Sequence, residues 1–366
     1  MNNLVLVPAA QQDGTGNSLR PPAGASVILA IDISRSKWVY CLRWNGREWR
    51  MTTPGTLEHL KAVVRRYEHC ELHVVYEACG FGYQIAWYLR ERGIDVMVIA
   101  PCTVERAPGR RVKNDRLDAS KMACKREQAQ LKGIYVPSQP AHERRQLART
   151  YVQARKDRRR EQTRIRALLQ EHGMLGPPPK LGWSAYATWL QQQTLPIPVA
   201  QCIGALLELR RCADECVKRL RSEMLLCAKE PQEAPVVTAI AEQPGIGPFS
   251  AIWLKLELLD IARFANGKAL VHYLGLAPSE YSSGPIVRRG HILKCGPGVL
   301  RALLVECAWR AIRADHGDPE LRSFYERLRT KGLQPKQAIV AVTRKLALRV
   351  YARWSACVAQ KHNQAV

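Results

Sequence analysis

Two short apolar runs constrain this chain most: Val27 to Ile31 and Leu72 to Tyr76, each ending directly on a carboxylate, Asp32 and Glu77. Neither run alternates cleanly with polar residues, so each reads as a strand buried on both faces, in a sheet with helices above and below. A carboxylate at the end of such a strand has no packing role. Trp38 to Leu42, and a shorter run near Glu48 to Thr52, extend the first strand into a meander turned at Ser34 to Lys37. Thr56 is placed to cap a helix reaching His69, with Leu57, Leu60, Val63 and Val64 on one side and Glu58, Lys61, Arg65 and Arg66 largely on the other. Tyr83 to Arg92 reads as a helix closed by Gly93, and Ile94 to Ala100 as a strand stopped by Pro101. Three strands followed by alternating helices and strands describe a mixed sheet covered on both faces.

Beyond Pro101, the residues Arg106, Arg110, Arg111 and Lys113 make a basic loop around Pro108 and Gly109. Asn114 can cap a following helix, on which Asp115 and Asp118 stand three residues and about 60° apart, hence on one face. Each acid alone has an ordinary use: Asp32 can cap the turn to Ser34, Glu77 can pair with an arginine, and the two aspartates can be surface helix acids. Together they are the set that phosphodiester chemistry asks for, three or four carboxylates holding two divalent ions about 4 Å apart. Oxygen-only ligands select Mg²⁺ or Mn²⁺ over zinc.

Composition narrows the partners. Fifty-six Lys and Arg against 32 Asp and Glu give a formal charge of +24, which points to a polyanion, nucleic acid first. No stretch approaches the roughly 18 consecutive apolar residues of a spanning helix, so no membrane is expected. The 366 residues, 46% hydrophobic, allow two or three domains. Twelve scattered cysteines, without a CxxC pair or zinc spacing, read as reduced core residues of a cytoplasmic protein.

The charge is concentrated in one place. From Ala141 to His172 a long helix carries Arg144, Arg145, Arg149, Arg155, Lys156, Arg158, Arg159, Arg160, Arg164 and Arg166, opposed between the first and last of these by Asp157 and Glu161. Its centre, Arg155, Lys156, Arg158, Arg159 and Arg160, reads as an RNA- or DNA-binding surface. Gly173 to Pro198 reads as an irregular linker, and a second helix from about Val199 to Glu230 makes a helical hairpin or coiled-coil arm. After Pro231 to Pro235, PGIGPFSAIWLKLEL sets Gly245 and Gly247 in a tight turn that resembles a helix-hairpin-helix module, whose backbone amides meet DNA phosphates. Helices near Asn266 to Tyr273, Gly298 to Arg313, Pro319 to Lys331 and Pro335 to Trp354 complete a nearly all-α end, interrupted by APSEYSSGPIVRRGHILKCG.

AIDISRSKW, VVYEACGFGY and KNDRLDASKMA resemble the three acidic motifs of the DEDD-type insertion-sequence transposases, which include Piv-like DNA invertases and bridge-RNA-guided recombinases. The resemblance implies a RuvC/RNase H-like amino-terminal domain in which Asp32, Glu77, Asp115 and Asp118 hold Mg²⁺ or Mn²⁺. YLGLAPSEYSSG, RRG, ILKCG and RALLVECAW are similar to the family's second domain, where a serine before glycine is the nucleophile. Here that is Ser283, before Gly284, with Ser282 its nearest rival; Arg288, Arg289 and Lys294 are cations suited to the phosphate. The chain departs from the family at Leu293 and Pro297, where a hydroxyl and a polar residue are common.

The resemblance further implies a homo-oligomer, dimer or tetramer, with a composite site across protomers that cleaves and rejoins double-stranded donor and target DNA. A structured guide RNA would lie on the arm. The expected architecture is α/β plus all-α: a tail at 1–25, a RuvC-like catalytic domain at 26–133, a helical arm at 134–235, a C-terminal transposase domain at 236–357 and a tail at 358–366. Three rivals share parts of this pattern. They are a metal-dependent junction resolvase or nuclease using water, an actin-like kinase, whose first phosphate segment AIDISRSKW also resembles, and a non-catalytic nucleic-acid-binding protein. No second Gly-rich phosphate loop supports the kinase.

Overall fold

The computed structural model describes residues 20–101, 115–177, 182–280, 289–313 and 315–364. The chain divides into two compact units, Met1–Gln139 and Pro140–Val366.

In the first unit, β1 (Ser26–Ile33), β2 (Lys37–Trp44) and β3 (Arg47–Pro54) form the expected antiparallel meander. After α1 (Leu57–Arg66) the chain returns as β4 (Glu71–Glu77) parallel to β1, and after α2 (Gln84–Arg90) as β5 (Asp95–Ile99) parallel to β4. The sheet order is β3-β2-β1-β4-β5. This is a five-stranded mixed sheet consistent with the RNase H-like domain that the acidic motifs imply. Thr56 caps α1 as expected, its hydroxyl accepting from the His59 N–H at 3.4 Å.

Side chains alternate across a pleated sheet, and here they sort into two cores. Leu29, Ile31, Tyr40, Val74 and Tyr76 face one way, packed with Leu60, Val63, Ile85 and Leu89 of α1 and α2. Ala30, Val39, Cys41, Val75 and Ile99 face the other way, against Ala119, Met122 and Ala123 of α3 (Asp115–Glu127). Mostly small or β-branched residues line this second face, which lets α3 lie close to the strands.

The second unit is helical. Its elements are α4 (Gln139–Glu171), α5 (Gly182–Gln191), α6 (Ile197–Cys227), α7 (Ala234–Ala241), α8 (Pro248–Leu258) and α9 (Gly267–Tyr273), then α10 (Gly298–Ala311), α11 (Pro319–Thr330) and α12 (Pro335–Gln364). Between α9 and α10 a two-stranded antiparallel ribbon, β6 (Pro278–Glu280) and β7 (Arg289–Ile292), occupies the segment that interrupts the helical pattern. Helices α4 and α6 run antiparallel, since Arg144 meets Glu230 at 3.2 Å near one end while Arg158 meets Asp214 at 2.7 Å further along. Ala148, Tyr151 and Ala154 of α4 join the main core of the unit, with Tyr151 edge-on to Phe249 and Trp253 of α8.

Two segments differ from expectation. Residues 182–191, expected within an irregular linker, form α5, because Tyr186 and Leu190 share one helical face and fill a small core with Ile165, Leu169, Val199 and Ile203. The last helix continues past Trp354 to Gln364 through the expected tail, since no Gly or Pro follows to stop it. Among the described residues no helix is long and apolar enough to cross a membrane.

Candidate active site

The geometry of β1 and β4 brings two of the four acids together. Ile31 is the parallel partner of Tyr76, so Asp32 and Glu77 are the next residues on adjacent strands, whose spacing is about 4.8 Å. Asp32 lies two residues beyond Ala30 and Glu77 two beyond Val75, so both carboxylates project on the α3 face. Each is half-buried. The Cys79 thiol reports on both: burial pushes its pKa up, and the negative charges of Asp32 and Glu77 raise it further. This cysteine was not among the expected site residues, although it stands two positions after Glu77.

The direction of α3 completes the picture. Arg126, near its last turn, pairs with Asp95 at the start of β5, and Glu127 accepts from Arg43 at 2.6 Å. Arg43 is the register partner of Ile28, early in β1. Helix α3 therefore runs antiparallel to β1, β4 and β5, and its first turn lies at the end of the sheet where Asp32 and Glu77 emerge. Asp118 is in that first turn, four residues before the buried Met122, and Lys121 lies 3.7 Å from its carboxylate. Both of those side chains are over a third exposed, so the pair adds little stability. Asp115 opens the helix and is described by its backbone alone. Among the described residues no group of three or more His, Cys, Asp or Glu side chains is arranged to hold a metal ion. In donor type, though not in that arrangement, Asp32, Glu77 and Asp118 match a hard divalent cation, since they offer oxygens alone.

The other expected residues separate into groups. Ser282, Ser283 and Arg288 lie outside the described residues, and Arg289 opens β7. Lys294 is exposed in the turn after β7, where it adopts φ +55°. Gly245, at φ +90°, is required by packing: a Cβ there would lie 2.5 Å from the Cys307 carbonyl oxygen of α10. Gly247 is the exposed N-cap of α8, and a Cβ there would meet nothing within 4 Å.

The basic helix is less uniformly available than its sequence implies. Arg144 meets Glu230 and Glu233, and Arg145 lies 3.0 Å from Glu257 of α8, with both side chains 12% exposed. Of the five central cations, Arg158 is held by Asp214, and Arg155 covers the rings of Tyr151 and Trp253. Lys156, Arg159 and Arg160 are exposed, the last pairing with Asp157 at 2.9 Å. Four of the acids that oppose the run, Asp214 of α6, Glu230 and Glu233 between α6 and α7, and Glu257 of α8, lie beyond the reach of a local count.

Comparison with known proteins places both units. A family model described as a transposase, for the DEDD domain of the IS110 type, matches residues 29–174, and one described as "Transposase IS116/IS110/IS902 family" matches residues 237–326. The chain is 29% identical over 290 residues to the transposase-named y4qE of Sinorhizobium fredii, covering 77% of this chain and 71% of that protein. It is 31% identical over 259 residues to a Pseudomonas aeruginosa protein named "Probable family 20 transposase", covering 68% and 74%. Over 115 residues it is 34% identical to the pilin gene-inverting protein of Moraxella bovis, covering 31% and 35%.

Proposed function

Because this chain belongs to the IS116/IS110/IS902 family of transposases, we propose that it cleaves and rejoins DNA with the acids Asp32, Glu77, Asp115 and Asp118 and the nucleophile Ser283. The observation that carries the acid half is the placement of Asp32 and Glu77 side by side, on the face and at the end of the sheet where α3 brings Asp118. A Mg²⁺ or Mn²⁺ held by these carboxylates would lower the cost of deprotonating a hydroxyl and screen the charge developing at phosphorus.

Ser283 Oγ attacks a DNA phosphodiester. A bond forms from Oγ to phosphorus, the bond to one deoxyribose oxygen breaks, and that oxygen leaves as a hydroxyl after taking up a proton. The phosphoserine link keeps the energy of the broken bond, so a hydroxyl of another strand can attack it and release Ser283. Arg288, Arg289 and Lys294 hold the phosphate oxygens, and the exposed Gly247 at the N-cap of α8 offers its backbone amide to a second phosphate in the manner of a helix-hairpin-helix turn. The pairing of α4 with α6 supports a coiled-coil-like arm, and its exposed cations Lys156, Arg159 and Arg160 suit the backbone of a guide RNA. The protein works as a homo-oligomer on donor and target duplexes.

The test starts from protein purified from its native host. Bound RNA is sequenced, and the protein is then incubated with Mg²⁺ and duplex DNA matching that RNA. Sequenced RNA and a denaturation-resistant protein–DNA adduct, absent in Ser283→Ala and Asp32→Asn, are expected. Cleavage that persists in Ser283→Ala without an adduct would identify a nuclease using water. Neither RNA nor adduct would sink the mechanism.

A further inference from the structure

The turn at residues 293–297 is built with unusual constraint for an exposed segment. It lies over the carbonyl end of α9, which closes with paired bonds from the Leu276 N–H to Val271 O at 3.0 Å and from the Gly275 N–H to His272 O at 2.9 Å. That closure places Gly275 at φ +65°, the usual glycine end of a helix. Contact with the turn is so close that a Cβ on Gly275 would fall 2.1 Å from Cys295 O, and one on Gly296 would fall 1.9 Å from Tyr273 O.

Arg301, in the first turn of α10, fastens the two together. Its Nη1 donates to Leu274 O at 3.0 Å on the helix end and to Cys295 O at 2.7 Å in the turn, with Gly296 O at 3.5 Å. Between these fixed points stands Lys294, at φ +55°. Its N–H donates to Gly275 O at 3.2 Å, and the neighbouring Leu293 N–H donates to Ala277 O at 2.9 Å. A residue with a side chain adopts this backbone region at a cost that glycine would avoid, and such costs concentrate at sites where the side chain has work to do. The Lys294 side chain is exposed, whereas the Nη1 of Arg301 is committed to protein carbonyls.

From this geometry we infer that Arg301 is a positioning residue for Lys294: it clamps the 293–297 turn to the end of α9, so that the ammonium of Lys294 is presented to a DNA phosphate that the guanidinium itself does not touch. The inference rests on the reading above that the second unit meets DNA phosphates through Lys294. It adds the residue that sets where that contact is made. The clamp also closes the base of the β6–β7 ribbon, where Pro278 is the register partner of Ile292 and the Ser279 hydroxyl donates to His291 O at 3.0 Å.

The experiment uses the full chain and a labelled duplex oligonucleotide of random sequence, with binding measured across a salt range. Loss of one phosphate contact lowers the slope of log affinity against log salt by about 0.9, roughly a fivefold loss of affinity near physiological salt. Lys294→Gln shows that loss, Arg301→Gln shows the same loss, and the double variant goes no lower than Lys294→Gln alone. A further fall of about 0.9 in the double variant would mean that Arg301 touches phosphate itself, and overturns the inference. An unchanged slope in Arg301→Gln overturns it too. Should Arg301→Gln not fold, Arg301→Met, which keeps the apolar stem and removes every donor, is read by the same criteria. Lys294→Gly separates function from structure: its thermal midpoint equals or exceeds the parent's while binding falls as in Lys294→Gln, and a lowered midpoint overturns the inference. If Lys294→Gln leaves the slope unchanged, the inference fails at its first step, and the Ser283 adduct then shows independently whether the transposase reading stands.

Discussion

The acid end of the sheet and the 293–297 turn both hold charged groups proposed to face DNA phosphate, but they hold them by opposite means. At the acid end, position follows from regular structure: alternation along β1 and β4 puts Asp32 and Glu77 on one face, and the direction of α3 adds Asp118. The glycine beside that site, Gly82, has φ +66° but open space around it. At the turn no regular element places Lys294. Two glycines with no room for a Cβ and one arginine bonded to backbone carbonyls do so instead. Carboxylates on strands inherit the rigidity of the sheet, whereas a cation in a loop needs a frame made for it.

The largest expected effect tests the first half of this contrast. Asp32→Asn keeps the size of the side chain and removes its charge; cleavage in a plasmid-nicking assay should fall by a factor of about 10² or more, with the thermal midpoint little changed. Full activity in that variant would break the acid half. Next come the glycines. Gly82→Ala should cost about 1 kcal/mol, the usual penalty for a left-handed alanine, while Gly296→Ala adds a backbone collision and should cost about 3 kcal/mol or more in denaturant unfolding. Equal costs would erase the distinction between the two regions.

A smaller effect concerns a carboxylate used for structure alone. Burial by itself would raise the pKa of Asp318, but the Leu321 N–H, the Gln243 amide and the Arg349 guanidinium more than offset this and hold it below its ordinary 3.8. A depressed folded pKa contributes stability above the unfolded value that is lost as pH falls through the folded one, here below about pH 4. Asp318→Asn should therefore be less stable than the parent at neutral pH, with the gap closing as the pH is lowered past that point. Melting curves that stay parallel across this range would contradict the assignment.

Much of the first unit was legible in the sequence because its signals are local. Apolar runs bounded by turns gave β1, β2 and β4 nearly to the residue, and Thr56 marked a helix start where its side chain does accept from the His59 backbone N–H. The acids could be seen to end strands, but the meeting of Asp32 and Glu77 depends on a parallel register between segments 45 residues apart at Ser26 and Glu71. What stayed hidden was non-local. The roles of Gly275 and Gly296 exist through each other's neighbours, and the fastening by Arg301 looks in sequence like any helix arginine. Helix α5 was obscured because prolines and glutamines around it outweighed the two residues, Tyr186 and Leu190, that bury it.

The direction of α3 has an electrostatic consequence. Carboxylates gathered at one end of the sheet repel each other, and that repulsion opposes folding. A helix carries the equivalent of roughly half a positive charge at its amino end, where unpaired peptide N–H groups accumulate. Because α3 points that end toward Asp32 and Glu77, with Asp118 in its own first turn, its backbone dipole offsets part of the repulsion. The same helix run in the opposite sense would have set a negative pole against the acids, adding to their repulsion instead of offsetting it.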